Sequence, residues 1–574
     1  CSGRIAGWRP SCYTCKFKQL NRVSDYTVFD CWHMGELLGK KDDDRGYTNL
    51  LVHTDKGSEL LKEIAAAYEI FQVDAEKAIA LDGIMVRNSA IPHKDRVAFY
   101  TDLDEHYSTD PNLRLTFSED TLSFDTVFTS IGSATKKFMI YNQNKEAMNI
   151  QSIMLASGGE SGFRLNVDGR KGDYFDNVGI LGEDSMFVFV EVTVDPTASN
   201  QPLLVQDSVV FMTNAGKQSV VLEAYGQNVH IYKGGWNINR DTTLTADLPH
   251  LVYDSIRVAP GVTLTIDSGT TLYMHDKANI IVAGRLVSSG ILEKPVTIRG
   301  DRLDFVLEKV LPYDRTPGQW GGIFFTPESK GNVMDYTVVR NATNGITIDA
   351  DTPDEDKLTI RNCQFSNMKE NVFTSVNSKV SIVNTEFSNA GGAVVTLAGG
   401  EYHFIHCTMV NYMRLIKRDA ACLALANVYP SENGELKSVP LKVRFDNCIV
   451  DGSFGAGNGK SGGEVAVSFV DEAVADYHFN HCVIATTTND QEHFKETLFV
   501  TEGNQPAYRK LGGEANRYQF DFRPDTISSL GVGKADPAIA AKYPEDRLGV
   551  NRMENGTGPT IGAYEYVEKE SDNK

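Results

Sequence analysis

Two kinds of residue in this sequence have the chemistry to bind a ligand: a cluster of aspartates and a pair of tryptophans. Asp351, Asp354 and Asp356 fall in the acidic stretch 351–357, and carboxylate oxygens are the ligands that calcium prefers in proteins. A solvated loop between structural repeats is the interpretation we favour. A calcium site is the alternative, and calcium is the cofactor that these three side chains would take.

The tryptophans are candidates for carbohydrate recognition. Trp236 and Trp320 each lie next to paired glycines, in the sequences GGW and WGG. An indole ring is a broad apolar surface on which a sugar ring can stack, so both are candidate ligand-binding residues. Tight turns at the end of a fold explain the same glycine pairs, and that is the interpretation we favour.

Histidines and cysteines occur together in two matching pieces, YHFIHC at 402–407 and YHFNHC at 477–482. Imidazole and thiolate groups are the usual ligands of zinc, which makes a metal site one interpretation. The two pieces are 75 residues apart, and both fit a structural repeat. We therefore favour a packing role for these residues.

The elements that position these side chains are predicted to be the coils of that repeat. Cys363, Thr385 and Cys407 lie at intervals of 22 residues, which is the length of one coil of a β-helix. Similar pieces begin at residues 360, 382, 404, 445 and 479, with a weaker copy at 333–338. The spacing predicts a long stack of β-coils.

Each copy predicts the same order of side chains. An apolar residue points inward, a turn residue of the Asn, Asp or His type follows two places on, and a small inward residue comes next. Most cysteines beyond residue 360 are then core residues. In the weaker copy this frame places Val333 in the core and Asp335 at the turn, with Tyr336 as the exception at the small position. Stacked turn residues should form a hydrogen-bonded ladder.

Two other patterns precede the repeat. Strand-like runs with alternating apolar residues recur over 112–232, as is typical of an antiparallel β-sandwich. Helical spacing runs from Lys56 to Tyr68, with Ser58 as the N-cap, and again from Asp74 to Leu81.

The predicted fold class is therefore mainly β. A right-handed parallel β-helix covers 240–566 and is preceded by an immunoglobulin-like β-sandwich at 112–232. A small α/β N-terminal segment covers 1–105, and residues 567–574 are expected to form a disordered tail.

The bulk composition excludes several classes of function. The net charge of −20 should repel nucleic-acid phosphates, so we expect no nucleic-acid partner. No apolar run is long enough to span a bilayer, so no transmembrane helix is predicted. Glycoside hydrolases use paired carboxylates, and no such motif is recognisable. We expect no catalytic residues.

Residues 113–142, 189–197 and 222–229 resemble uncharacterised cell-surface lipoproteins of Bacteroidetes. The last two stretches look like strands of the immunoglobulin-like domain found in abnormal-spindle and hydin proteins. Residues 259–290 are similar to the first coils of bacterial β-helices, and 544–566 to their closing coil. The resemblance implies a lipid-anchored location at the cell surface or outer membrane. Cys1 is then either a lipid-bearing first residue or the start of a fragment.

Residues 9–32, 42–61 and 88–104 resemble the C-terminal domain of the coenzyme F420 hydrogenase/dehydrogenase beta-subunit family, whose members are flavin and iron–sulfur redox proteins. The resemblance implies that Cys12 and Cys15 are cysteines of a CxxC element that can hold iron–sulfur or zinc. Two cysteines do not complete a four-ligand cluster. The change of resemblance near Asp104 indicates a truncated or chimeric reading frame, with a natural fusion as the alternative.

Together these patterns predict a non-catalytic cell-surface β-helix protein that binds a polysaccharide or an outer-membrane protein. A polysaccharide lyase or hydrolase that uses the β-helix face is the first alternative. An iron–sulfur or flavin redox protein acting through the N-terminal segment is the second.

Overall fold

The computed structural model describes residues 24–40, 46–65, 68–87, 107–196, 200–350, 352–430, 434–457, 462–470, 473–488, 490–513, 518–554 and 556–568. The chain forms two compact units. One comprises Cys1–Asp195 with Leu204–Gly226, and the other comprises Pro196–Leu203 with Gln227–Lys574. The predicted fold class, mainly β with a β-sandwich followed by a parallel β-helix, is confirmed.

The N-terminal segment contains a short antiparallel pair and four short helices among its described residues. These elements are β1 (Tyr26–Asp30), α1 (Met34–Leu38), β2 (Thr48–Val52), α2 (Asp55–Ile64), α3 (Ala75–Leu81) and α4 (Ile84–Arg87). The cap of α2 is Thr54, whose Oγ1 accepts the Gly57 N–H at 3.0 Å, so the prediction of Ser58 as the cap is wrong. The cap of α3 is Asp74.

The sandwich consists of two antiparallel sheets. The first sheet has the order β3 (Thr116–Phe117), β5 (Lys136–Asn142), β10 (Asp184–Val192), β7 (Phe163–Val167) and β8 (Arg170–Gly172). The second has the order β4 (Thr121–Phe128), β12 (Gly216–Gln227), β11 (Leu203–Thr213), β6 (Met148–Leu155) and β9 (Tyr174–Ile180). Alternate residues of both sheets point inward and form a single buried cluster, as expected for packed sheets with one solvated face.

The β-helix consists of two long parallel sheets. Its first sheet contains β13 (His230–Tyr232), β16 (His250–Val252), β19 (Thr271–Met274), β22 (Val296–Gly300), β27 (Thr337–Arg340), β30 (Gln364–Met368), β32 (Glu386–Ala390), β34 (Thr408–Asn411), β39 (Ile449–Gly452), β42 (Val483–Ile484) and β44 (Leu498–Phe499). We call this sheet the narrow sheet, because each coil adds one strand to it.

The second sheet of the β-helix, the broad sheet, receives up to two strands from each coil. It contains β14 (Trp236–Ile238), β15 (Thr242–Leu244), β17 (Ser255–Val258), β18 (Thr263–Asp267), β20 (Asn279–Val282), β21 (Arg285–Ser289), β25 (Gly322–Phe325), β26 (Asn332–Asp335), β28 (Ile346–Asp349), β29 (Asp356–Arg361), β31 (Phe373–Val383), β33 (Val395–Ile405), β35 (Leu423–Ala426), β38 (Leu441–Asp446), β40 (Val465–Ser468), β41 (Ala475–Asn480) and β43 (Phe494–Lys495). Antiparallel hairpins leave the coils at β23 (Phe305–Leu307) with β24 (Leu311–Pro312), and at β36 (Val428–Pro430) with β37 (Leu436–Ser438).

The predicted order of side chains is confirmed in the five clear copies of the repeat. Their inward apolar residues are register partners and are buried: Ile360, Ile382, Phe404, Phe445 and Phe479. Their turn residues all have positive φ: Asn362, Asn384, His406, Asn447 and His481. The ladder is present where Asn384 Nδ2 donates to Asn362 Oδ1 at 3.2 Å and where Asn447 Nδ2 lies 3.0 Å from His406 Nε2.

The weaker copy is shifted by one residue from the predicted frame. Met334, not Val333, pairs with Ile360 and is buried. Tyr336 has a φ of 38° and occupies the turn position that was assigned to Asp335. Thr337 is the buried small residue. An aromatic residue at a left-handed turn is uncommon. The sequence pattern therefore places the turn at Asp335, one residue before its actual position.

The cysteines of the repeat pack in the core, as predicted. Cys363, Cys407, Cys448 and Cys482 are all fully buried, and the Cys448 N–H points at Cys482 Sγ of the next coil at 3.4 Å. Burial raises the pKa of Cys363 to about 12. These thiols therefore act as small apolar side chains.

After β44 the chain folds back along the side of the β-helix. We call residues 500–568 the C-terminal cover; it includes β45 (Tyr508–Leu511), β46 (Phe520–Pro524) and α5 (Pro537–Ala540). Arg547 Nε donates to the Cys363 carbonyl at 3.0 Å, and the Ala563 N–H donates to Thr408 Oγ1 at 2.9 Å. Residues 544–566 thus lie across several coils, so the prediction that they form the closing coil is wrong.

Candidate functional site

The two tryptophan candidates have different environments. Trp320 is fully buried, and its Nε1 donates to the Arg340 carbonyl at 2.8 Å. The prediction that it is a ligand platform is therefore wrong, because the ring belongs to the core. Trp236 is half-buried and stacks on Tyr232 with ring centroids 4.2 Å apart. It packs against the core at the first coils, in agreement with the turn interpretation.

The predicted calcium ligands are not brought together among the described residues. Asp351 lies outside them. Asp354 is exposed, and the Asp356 carboxylate forms an ion pair with Lys379 at 3.0 Å. Within the described ranges, no group of three or more His, Cys, Asp or Glu side chains has the geometry to hold a metal ion. Cys12 and Cys15 also lie outside the described residues.

The histidines of the two matching pieces are divided between the surface and the turns. His403, Arg444 and His478 are register partners on the outer side of the broad sheet, while His406 is fully buried at a turn. Burial, together with the nearby Arg552, holds the pKa of His406 well below its ordinary value. The residues of the two pieces therefore occupy strand and turn positions of the repeat, which is the interpretation favoured from the sequence.

A cluster of aromatic and charged side chains lies on the outer side of the first coils of the narrow sheet. Its first column has one residue from each of four successive coils. Lys233 Nζ lies 4.8 Å from the Tyr253 ring centroid, and the Tyr253 ring lies 4.3 Å from the ring of His275. His275 Nδ1 in turn lies 2.7 Å from Asp301 Oδ2. Coils stack at about 4.8 Å, which sets this spacing.

A second column runs beside the first. Tyr273 and Arg299 are register partners, and the guanidinium of Arg299 lies 5.8 Å from the Tyr273 ring centroid. Arg299 and Arg340 each reach Asp314 Oδ1 at 3.0 Å. Two arginines therefore share a single carboxylate oxygen.

The excursion between β22 and β25 supplies the rest of the surface. Asp314 comes from a 3₁₀ turn at Tyr313–Arg315. Arg302 lies 4.0 Å from the Tyr313 ring centroid and forms two hydrogen bonds with Asp304, at 2.7 and 2.5 Å. We call the whole cluster the tyrosine–arginine face: Lys233, Tyr253, Tyr273, His275, Arg299, Asp301, Arg302, Asp304, Tyr313, Asp314 and Arg340.

The local charge of this face differs from that of the whole chain. Its lysine and three arginines outnumber its three aspartates, although the protein carries a net charge of −20. Burial raises the pKa of Tyr253 and that of Tyr273, so both phenols stay neutral. The face thus offers apolar rings beside groups that donate and accept hydrogen bonds.

Sequence reasoning missed the tyrosine–arginine face because its coils differ in length. Lys233, Tyr253, His275 and Asp301 are separated by 20, 22 and 26 residues. A search for a constant period does not align them. The signal that was present is the alternation of buried and outward residues in the short strands β19 and β22.

Two parts of the chain match known sequence families. Residues 252–409 match the family described as right handed beta helix region. Residues 5–77 match the C terminus of the coenzyme F420 hydrogenase/dehydrogenase beta subunit. These matches confirm the corresponding parts of the predicted resemblance. The tyrosine–arginine face lies largely within the first match.

The chain is also similar to individual proteins. It is 35% identical to Protein bark beetle of Drosophila melanogaster over 102 residues, which cover 17% of this chain and 3% of that protein. The catalytic domain of a GH87 alpha-1,3-glucanase in complex with tetrasaccharides is 9% identical, with 68% of this chain and 94% of that chain covered and a TM-score of 0.17. The E. coli chaperone DraB is 12% identical, with coverages of 20% and 55% and a TM-score of 0.15. Scores this low carry no argument about function.

None of the helices in the described ranges has the length and apolar character needed to cross a membrane.

Proposed function

We propose that the protein binds a glycan through the tyrosine–arginine face and does not cleave it. The observation that carries this proposal is the pair of outward columns, in which Tyr253 and Tyr273 stand beside His275 and Arg299 on neighbouring coils. Sugar rings have apolar C–H faces that pack on aromatic rings, and hydroxyl rims that pair with charged side chains. A few polar groups placed around an apolar surface are typical of ligand sites.

The pairing of the carboxylates favours binding over hydrolysis. Asp301 is held by His275, Asp304 by Arg302, and Asp314 by two arginines. Hydrolysis of a glycosidic bond needs one carboxyl group that gives a proton and a second that acts as base or nucleophile. This face offers charges that are already paired, which suits recognition of hydroxyl groups.

Isothermal titration calorimetry with a panel of soluble polysaccharides tests the proposal. We expect at least one to bind, and Tyr253→Ala to weaken that binding about tenfold, which is about 1.4 kcal/mol. Tyr174→Ala is the matched control, because Tyr174 is 58% exposed on the sandwich. Failure of every polysaccharide to bind would overturn the proposal. So would release of reducing ends or of unsaturated sugar during the incubation.

We also propose a cell-surface location, where such a face would meet an extracellular or envelope polysaccharide. The support is the resemblance of residues 113–142 and 222–229 to surface lipoproteins of Bacteroidetes. Treatment of intact cells of the native source with a protease should remove the protein while a cytoplasmic marker survives. Protection of the protein under those conditions would contradict a surface location.

A further inference from the structure

A groove of about 740 Å³ lies on the outer side of the first sheet of the sandwich. Ligand sites for small molecules commonly have volumes of about 300 to 1,000 Å³, so the groove is large enough for a few sugar rings. It is lined by side chains from three neighbouring strands, β10, β7 and β8, and by the residues that precede and follow β7 and β8. It has no part in the tyrosine–arginine face.

The register of the strands places the lining side chains in two rows. Phe189, Asn166 and Lys171 are register partners across the three strands and form one row. Glu191 and Arg164 are partners in the next row. Because residues two apart on a strand share a face, both rows point to the same outer side.

The first row combines an apolar surface with an unsatisfied acceptor. The Phe189 side chain is 38% exposed. Beside it, Asn166 Oδ1 is buried and has no hydrogen-bond partner among the described residues. A buried polar atom without a partner costs about 1–3 kcal/mol. Because that oxygen has no exposed surface, the polar group of this row that a ligand can reach is the ammonium group of Lys171, which is exposed and lines the groove.

The charged groups of the groove balance each other. Arg164 and Lys171 are matched by Glu191 and Asp173, all of which line it. One oxygen of Glu191 accepts a hydrogen bond from Thr135 at 2.8 Å, and Arg164 donates to Thr193 at 2.6 Å. The groove therefore fits a ligand without net charge that both donates and accepts hydrogen bonds.

The position of Phe189 within the sheet decides between a sugar and an added peptide strand. Its strand, β10, pairs with β5 on one side and β7 on the other. The backbone groups around Phe189 are thus already used in the sheet, and a peptide cannot add there as a further strand. Only side chains are available to a ligand at this point.

We infer that this groove is a second carbohydrate site, which takes a neutral oligosaccharide with one sugar ring packed on Phe189 and a hydroxyl group accepting a hydrogen bond from Lys171. The inference stands on the sandwich alone and does not rest on the function proposed for the β-helix.

Saturation-transfer NMR and calorimetry on the full chain, with cellotetraose, maltotetraose and mannotetraose as probes, test this inference. The matched control is Tyr225, which is 42% exposed on the other sheet of the sandwich and does not line the groove. We expect Phe189→Ala to weaken binding about tenfold and Lys171→Met to weaken it as well. Tyr225→Ala and Tyr253→Ala should leave the affinity unchanged.

Several outcomes would overturn the inference. They are equal losses in the Phe189→Ala and Tyr225→Ala variants, loss in the Tyr253→Ala variant alone, or no binding of any of the three probes. Binding of unstructured peptides in place of the sugars would also overturn it. A thermal unfolding curve of each variant separates loss of the site from loss of the fold.

Discussion

The two ends of the narrow sheet use the same side-chain types for opposite purposes. Arg340, Ser366, Ser388, Val410 and Asp451 are register partners in a single outward column. At one end Arg340 is 31% exposed and belongs to the open tyrosine–arginine face. At the other end Asp451 is 1% exposed beneath the C-terminal cover. Tyrosines and carboxylates bond directly to each other where the coil is covered, whereas Tyr253 and Tyr273 on the open face remain partly exposed to water.

The covered end shows what these groups do when water is excluded. Tyr412 and Tyr508 both donate to Asp451 Oδ2, at 2.8 and 3.0 Å. Nearby, Tyr564 donates to Glu386 Oε2 at 2.5 Å. Each buried carboxylate thus receives hydroxyl donors from the same molecule. At the open end the side chains of Arg340 and Asp314 are 31% and 36% exposed, which is why we propose ligand binding there.

The largest expected effect comes from the ion pair that fixes the cover. Arg552 and Glu565 are fully buried and 2.6 Å apart, and Arg552 also donates to Asn384 of the repeat at 3.0 Å. Arg552→Met would remove the ion pair from the buried carboxylate of Glu565, which still accepts the Thr560 N–H at 3.0 Å, and loss of a buried ion pair costs about 3–5 kcal/mol. We expect the free energy of local opening, measured by hydrogen exchange at the Ala563 N–H, to fall by that amount.

The control for this variant is Arg523→Met in the same segment. Arg523 is paired with Asp521 at 2.6 Å, but its side chain is 40% exposed. A partly exposed pair contributes about 0–1 kcal/mol, so the exchange rate at Ala563 should change little. Similar losses in the two variants would mean that the cover is not held by its buried charges.

An intermediate effect is expected at Asp451, where burial raises the pKa to about 6. The pKa in the folded protein then lies above the unfolded value of about 3.9. The contribution of Asp451 to stability is therefore greatest below about pH 4 and is lost as the pH rises through about 6. Asp451→Asn removes this dependence and should stabilise the cover by about 2–3 kcal/mol at pH 8, from a shift of about two pH units.

Asp446 provides a control, because its pKa is shifted in the opposite direction from that of Asp451. Burial acts to raise its pKa, but hydrogen bonds from His403 and Asn480 outweigh burial and hold that pKa below its ordinary value. Its contribution to stability is present at neutral pH and is lost as the pH falls. Denaturant titrations at pH 3, 5 and 8 should therefore show Asp446→Asn as less stable than the parent at pH 5 and pH 8, with a difference that shrinks towards pH 3. If both Asn variants respond to pH alike, the assignment of Asp451 is wrong.

The sequence was sufficient to predict the inward-facing core of the β-helix but not its outer surfaces. Cys363, Thr385 and Cys407 repeat at a constant interval because each must fit the same inward position. No such constraint applies to residues that point outward. The C-terminal cover contacts coils that are far away in sequence, as Arg547 does at Cys363. Such contacts produce no periodic pattern in the sequence, so a search for repeats does not detect them. The burial of Trp320 could not be predicted, because a glycine pair marks a turn without showing which way its neighbour points.

The smallest effect on stability is expected at the open end, where Arg340→Met makes the same substitution as Arg552→Met. Asp314 keeps Arg299 at 3.0 Å as a partner, and the side chains of Arg340 and Asp314 are 31% and 36% exposed. Unfolding free energy should therefore change by less than about 1 kcal/mol, while affinity for the glycan falls because one of its hydrogen-bond donors is gone. Denaturation and calorimetry on the same preparation measure both. The contrary result is a loss of stability comparable to that of Arg552→Met, with unchanged affinity. It would show that the open face has a structural role, and that the two ends differ only in how exposed their side chains are.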